Sequence, residues 1–135
     1  RHRHVFNCLW RTFVEVSEVC VANGGKIAFE WPRNCTYWRL RKVNKSYMKR
    51  FGMHQYKFDG CMFNLTSKAP KTNGLKLYKP WVIASDVEEF RFMQRKCNHD
   101  RDEHVRVAGR DTKKTEEYTD ELVDEIHGCW RHHLT

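Results

Sequence analysis

Three short apolar runs constrain this chain more than anything else in it: Lys26–Pro32, Tyr56–Cys61 and Lys79–Ser85. Each is too short to persist as an isolated helix. Each also carries charged or polar residues at an end, the pattern of a strand that buries its middle and presents chemistry at the rim of a sheet. Pro32 closes the first run because it cannot donate to a ladder. Asp59-Gly60 breaks the second. Glu30, Asp59 and Lys79 are the polar tips such a sheet would display.

Between these runs the spacing is helical. Val5, Leu9, Phe13, Val16 and Cys20 predict a helix over residues 3–22 that packs on one face, with Asn23-Gly24-Gly25 as a left-handed stop. A second helix is predicted over 36–51, with Leu40, Val43, Tyr47 and Phe51 inward and Gly52 as its stop. Met62–Leu65 can continue the second strand, and Ser67–Gly74 has the composition of an exposed loop. Asp86 is placed to cap a helix carrying Val87, Phe90 and Met93. Thr119 is placed to cap a last helix with a Leu122, Ile126 and Trp130 stripe. The order α-β-α-β-β-α-α predicts an α/β fold, a Rossmann-like partial sheet of three to four strands with flanking helices, in one domain spanning residues 1–135. The absence of an initiator Met leads to the expectation of a fragment of a longer protein. No run approaches the roughly 18 apolar residues of a membrane helix.

Charge is distributed unevenly. Residues 1–85 hold 16 Lys and Arg against 4 Asp and Glu, for +12, and residues 86–135 hold 9 against 13, for −4. The cations concentrate in the second helical segment, where Arg39, Arg41, Lys42, Lys45, Lys49 and Arg50 stand without an acidic neighbour. Long cationic side chains on one surface are what phosphate contacts require, and the interleaved Tyr37, Trp38 and Tyr47 can add stacking if exposed. A nucleic-acid partner is expected, with an acidic protein partner as the alternative and a solvated surface as the plainer reading.

The segment 95–114 is polar and lacks a sustained period, so something other than an apolar core must order it. Cys97, His99 and His104 fall within eight residues there. Zinc takes four such ligands in a tetrahedron, and Cys61 or Cys35 can supply the last from the sheet. The six cysteines show no CxxC pair or dense framework, which favours reduced thiols and an intracellular, even nuclear, location. Three Asn-x-Ser/Thr sequons at Asn34, Asn44 and Asn64 keep secretion as the alternative. Glu30 and Asp59 form a candidate catalytic pair, acting as acid and base or holding magnesium as in a metal-dependent nuclease. No phosphate loop, dinucleotide loop or serine elbow accompanies them.

The succession Phe29-Glu30-Trp31-Pro32, then Phe58-Asp59-Gly60-Cys61-Met62-Phe63-Asn64-Leu65, then Lys79-Pro80-Trp81-Val82-Ile83-Ala84 resembles the C-terminal half of the cytosine-5 DNA methyltransferase fold. It looks closest to methyltransferase-like segments of mobile-element-associated proteins. The resemblance implies DNA contact along the 58–85 strands and matches Glu30 to the family glutamate that holds the target cytosine. Trp31 stands where the family carries asparagine, the arginine pair expected before the last strand is absent, and no Pro-Cys nucleophile or cofactor loop is present. The implied function is a nucleic-acid-binding, methyltransferase-like module that is not catalytically complete in these residues.

Overall fold

The computed structural model describes residues 1–135, with the side chain at position 110 left out of the description. Helix α1 (His2–Ala22) leads into strand β1 (Ala28–Pro32), and a helical crossover ending in α2 (Met48–Arg50) leads to β2 (His54–Asp59). Then come β3 (Lys76–Leu77), β4 (Pro80–Ser85), a 3-10 helix (Glu88–Met93), β5 (His104–Val105), α3 (Arg110–Lys114) and α4 (Asp120–Leu134). The three predicted strands do lie in one sheet, in the order β1-β4-β2. Both pairings with β4 are antiparallel, so β1 and β2 run the same way with β4 inserted between them. Among the described residues parallel pairing occurs only between the two-residue strands β3 and β5. The class is α/β, with helices on both faces of a small sheet.

The alternation of side chains along a strand divides the sheet into two cores. Val82 and Ala84 face α1 and the crossover, together with Phe6, Trp10, Trp38, Val43 and Tyr47. Trp81 and Ile83 face the opposite way, with Tyr56, Phe58, Phe90, Met93, Leu122 and Cys129. The centre of β4 is therefore buried on both sides, which is why it reads as an unbroken apolar run.

α1 ends as expected, at Gly24, whose φ of +79° is one that only glycine adopts freely. Its inward face differs from the expected one. Phe6, Trp10 and Ser17 are buried, and of the expected stripe Phe13 and Cys20 pack against the core, whereas Val5, Leu9 and Val16 are 48%, 65% and 59% exposed. Both stripes have helical spacing. The aromatic one is selected because β1 and the crossover offer aromatic partners: Trp10 meets Phe29, Trp31 and Tyr47 at ring-centroid distances of 5.9, 5.7 and 5.0 Å. The Ser17 hydroxyl and the Tyr47 hydroxyl share a buried 2.7 Å hydrogen bond beside them.

The predicted helix over 36–51 is three pieces: a 3-10 turn at Thr36–Arg39, a π-helical stretch at Lys42–Tyr47, and α2. The break is at Leu40, whose ψ of 132° is extended. Trp38 Nε1 donates to Pro32 O at 3.0 Å, tying the first turn to the end of β1. Val43 and Tyr47 remain inward. Met62–Leu65 does not extend β2, because Gly60–Phe63 coils into a 3-10 turn ended by a left-handed Asn64. Asp86 caps no helix. It accepts from Ile27 N at 3.0 Å, and Ser85 Oγ instead accepts from Val87 N. Thr119 does cap α4, accepting from Leu122 N at 3.1 Å while donating to Phe63 O.

Candidate metal centre

β2 ends in Asp59, and the next residue explains the turn. A Cβ on Gly60 would lie 2.8 Å from Leu65 Cδ2 and 3.2 Å from the Trp81 ring, so only glycine lets this backbone close on β4, where Gly60 N donates to Lys79 O at 2.9 Å. Cys61 is thereby fixed, buried, at the open end of the sheet. The segment after the Glu88–Met93 turn runs back past the same end, with Asp59 N donating to Arg95 O at 3.0 Å. It carries Cys97 and His99, and after one 3-10 turn it pairs as β5 with β3, Lys76 opposite His104.

Four donor atoms meet there. The ligand atoms of Cys61, Cys97, His99 and His104 all lie within 4.8 Å of one another. Cys97 Sγ is 3.2 Å from His104 Nε2 and 3.5 Å from His99 Nδ1. A tetrahedral zinc with ordinary bond lengths separates a sulfur from a nitrogen by about 3.6 Å, so the donors already stand close to the edges of such a tetrahedron. Two thiols and two imidazoles suit zinc and leave no open position when all four bind, which is the arrangement of a structural site. Cys35 packs in the α1-side core and is not part of the group.

The surroundings orient the ligands. His104 Nδ1 lies 2.9 Å from Asp100 O, which assigns the proton to Nδ1 and leaves Nε2 as the ligand. Asp100 and Glu103 form a capping box around the 3-10 turn between His99 and His104, with Asp100 N donating to Glu103 Oε2 at 2.8 Å. Asp59, itself buried, accepts from Cys97 N through Oδ2 at 2.7 Å and from Arg33 Nη2 through Oδ1 at 3.2 Å. Burial pushes the Cys61 thiol up to about 12, and the adjacent Cys97 thiol and the Asp59 charge add to the rise. A bound cation acts against that trend, because a metal-coordinating thiol ionises.

The other predicted site residues separate into two groups. Glu30 and Asp59 do not meet. In register, Glu30 lies opposite Ile83 and Asp59 opposite Pro80, an odd number of residues apart on β4, so their side chains leave opposite faces of the sheet. Asp59 braces the candidate metal centre through Cys97 N. Glu30 Oε2 accepts from the Tyr118 hydroxyl at 2.5 Å, and its Oε1 is buried without a hydrogen-bond partner among the described residues. Burial raises the Glu30 carboxyl, opposed by the Tyr118 hydrogen bond and by Lys79. Burial likewise lowers Lys79, whose Nζ donates to Thr115 O and Oγ1.

Of the crossover cations, Arg39, Arg41, Lys45, Lys49 and Arg50 are exposed. Arg50 pairs with Glu18 at 2.9 Å, and Lys42 donates to Asn7 Oδ1 while lying over the Phe6 ring. Among the described residues no carboxylate pairs with Arg39, Arg41, Lys45 or Lys49. Trp38 and Tyr47 are core rather than stacking surface. Arg33, Asp100 and Tyr118 were not foreseen. Asp100-x-x-Glu103 is a readable capping-box pattern, whereas nothing local marks Arg33 or Tyr118.

Comparison of the chain with known protein families, with characterised proteins and with solved structures finds no match. Among the described residues no helix is long and apolar enough to cross a membrane.

Proposed function

We propose that this chain is a nucleic-acid-binding α/β module, methyltransferase-like in the order of its pieces, whose 95–105 segment is folded onto a structural zinc. The observation that carries the binding reading is the set of four exposed cations, Arg39, Arg41, Lys45 and Lys49, without acidic partners among the described residues. Surface charge that serves only solubility is usually interspersed with the opposite sign. Here one continuous crossover segment is of one sign, a field that attracts phosphates. The zinc reading rests separately on the four converging ligands.

The test is binding of single- and double-stranded DNA and RNA at several salt concentrations. Affinity should fall as salt rises, and reversing Arg41, Lys45 and Lys49 to Glu should abolish it while thermal stability is kept. Binding that ignores those substitutions, or that is seen only with an acidic protein, removes the reading. A second reading, acid–base chemistry at Glu30, is favoured by the unpartnered buried Oε1 beside Lys79 and Tyr118. Turnover of a nucleic-acid substrate that is lost in Glu30→Gln would support it, and an inert intact chain would end it.

A further inference from the structure

Helix α1 and the crossover do not close completely against each other. Between them lies a groove of about 410 Å³, with Arg11 on the α1 side and Lys42, Ser46 and Arg50 on the other. Its floor is apolar: Val14 and Phe51, both half-buried, lie over the buried Trp10 and Tyr47. A recess of this size falls within the range of small-molecule sites, about 300–1,000 Å³. It can hold a nucleoside but not a duplex.

The charges around the groove form two rows. Lys42, Ser46 and Arg50 recur every fourth residue and face it, while Arg41, Lys45 and Lys49, each one residue earlier, are exposed on the outer face of the same segment. Arg11 continues the cationic rim onto α1, and among the described residues no carboxylate pairs with it. Lys42 is held at the mouth, donating to Asn7 Oδ1 and lying 5.1 Å from the centre of the Phe6 ring. Two acids also line the groove. Glu18 is neutralised by Arg50 at 2.9 Å. Glu15 remains, and its charge disfavours a phosphate inside the groove but not an uncharged group.

An apolar floor beneath a cationic rim separates two kinds of contact. Phosphates take the long cations of the rim, and a neutral base, which needs apolar area and a stacking partner, takes the floor. Phe51 supplies the ring, with the Arg50 guanidinium 4.9 Å from its centre, and guanidinium planes also stack on bases. A base inside a duplex is already paired and stacked, so only an unpaired one can enter. The groove wall is also the π-helical stretch Lys42–Tyr47, a winding found mostly where a helix serves function.

We infer that the groove between α1 and the crossover receives an unstacked base of a single-stranded nucleic acid, whose phosphates run along Arg41, Lys45 and Lys49 and reach Arg11. This site rests on the nucleic-acid reading above and adds to it the form of the strand and two contacts, Arg11 and Phe51, outside the row of cations that carries that reading.

The experiment is fluorescence-anisotropy binding of the full chain to a short labelled oligothymidine strand, an oligouridine strand and the duplex of each with its complement, over a series of salt concentrations. At least one single strand should bind about tenfold or more tighter than its duplex. Phe51→Leu, which keeps an apolar side chain in the core, should weaken that binding about tenfold with the salt dependence unchanged, because stacking releases no counterions. Arg11→Ala, at an exposed position, should instead make the slope of log affinity against log salt shallower by about 0.7, the share of one phosphate contact on a single strand. It also decides the matter should Phe51→Leu fail to fold. A duplex bound as tightly as the single strand, or single-strand binding indifferent to either substitution, overturns the inference. The nucleic-acid reading survives that result if reversal of Arg41, Lys45 and Lys49 still abolishes binding. A chain that binds none of the four probes removes both.

Discussion

The amide of Cys97 donates to Asp59 Oδ2 at 2.7 Å, so a carboxylate at the tip of β2 holds the backbone of a candidate metal ligand 38 residues further along the chain. The other oxygen of Asp59 takes Arg33, just beyond β1. Both outer strands of the sheet thus converge on the ligand loop, and Asp59, read from sequence as a candidate catalytic acid, sits where it braces that loop.

Replacing Asp59 by Asn should therefore weaken metal binding without abolishing it. The outer partners of metal ligands typically contribute about 10- to 100-fold in affinity. Competition titration with a chromophoric chelator measures this, and an unchanged affinity would detach Asp59 from the centre.

Purified, reduced protein should carry one equivalent of zinc, and Cys97→Ser should lose it. Cobalt substitution should give the visible absorption of a tetrahedral site. On chelation, hydrogen exchange should quicken over 95–105 while β4, buried on both faces, stays protected. Stoichiometric metal persisting in Cys97→Ser would show that the ion sits elsewhere.

Gly60→Ala should destabilise the fold by about 1–3 kcal/mol, the usual cost of forcing extra volume into a packed core. The added methyl meets the terminal methyl of Leu65, which is buried in the core and has little room to move, the Trp81 ring and the Lys79 carbonyl. Because Gly60 fixes Cys61, zinc affinity should fall with it. Chemical denaturation and zinc titration of the same variant test both effects, and an alanine tolerated in both would mean that the turn can shift.

Stability should depend on pH through Glu30. Burial raises its carboxyl above the ordinary glutamate value of about 4.3. Between that value and the raised one, the folded chain keeps a proton that the unfolded chain has released, so stability is lost as pH rises through the window. Glu30→Gln keeps an acceptor for Tyr118 and removes that slope. Denaturation midpoints of the two proteins should diverge across the window, and parallel profiles would place Glu30 in ordinary solvent.

Part of this was legible because it depends on neighbours in sequence. Cys97, His99 and His104 lie within eight residues, in a segment with too few apolar positions to order itself, so a ligand role followed from composition and proximity. The choice of Cys61 over Cys35 did not. It rests on which strand end the 95–104 segment passes, and that is set by the β2–β4 register and the close approach at Gly60. The separation of Glu30 from Asp59 also follows from register, because one residue of offset sends a side chain to the other face.

Local sequence marks the three strands of the main sheet, the helices α1 and α4, the Thr119 cap and the residues able to bind metal, since periodicity, turn chemistry and donor type are local properties, whereas β3 and β5, two residues each, carry no such mark. Only the tertiary structure decided the antiparallel insertion of β4, the break at Leu40 and the face of α1 that is buried. A helical period sets the spacing of an apolar stripe but not which of two stripes turns inward. That choice belongs to the partners, here the aromatic residues of β1 and the crossover, which meet α1 only once the chain has folded back on it.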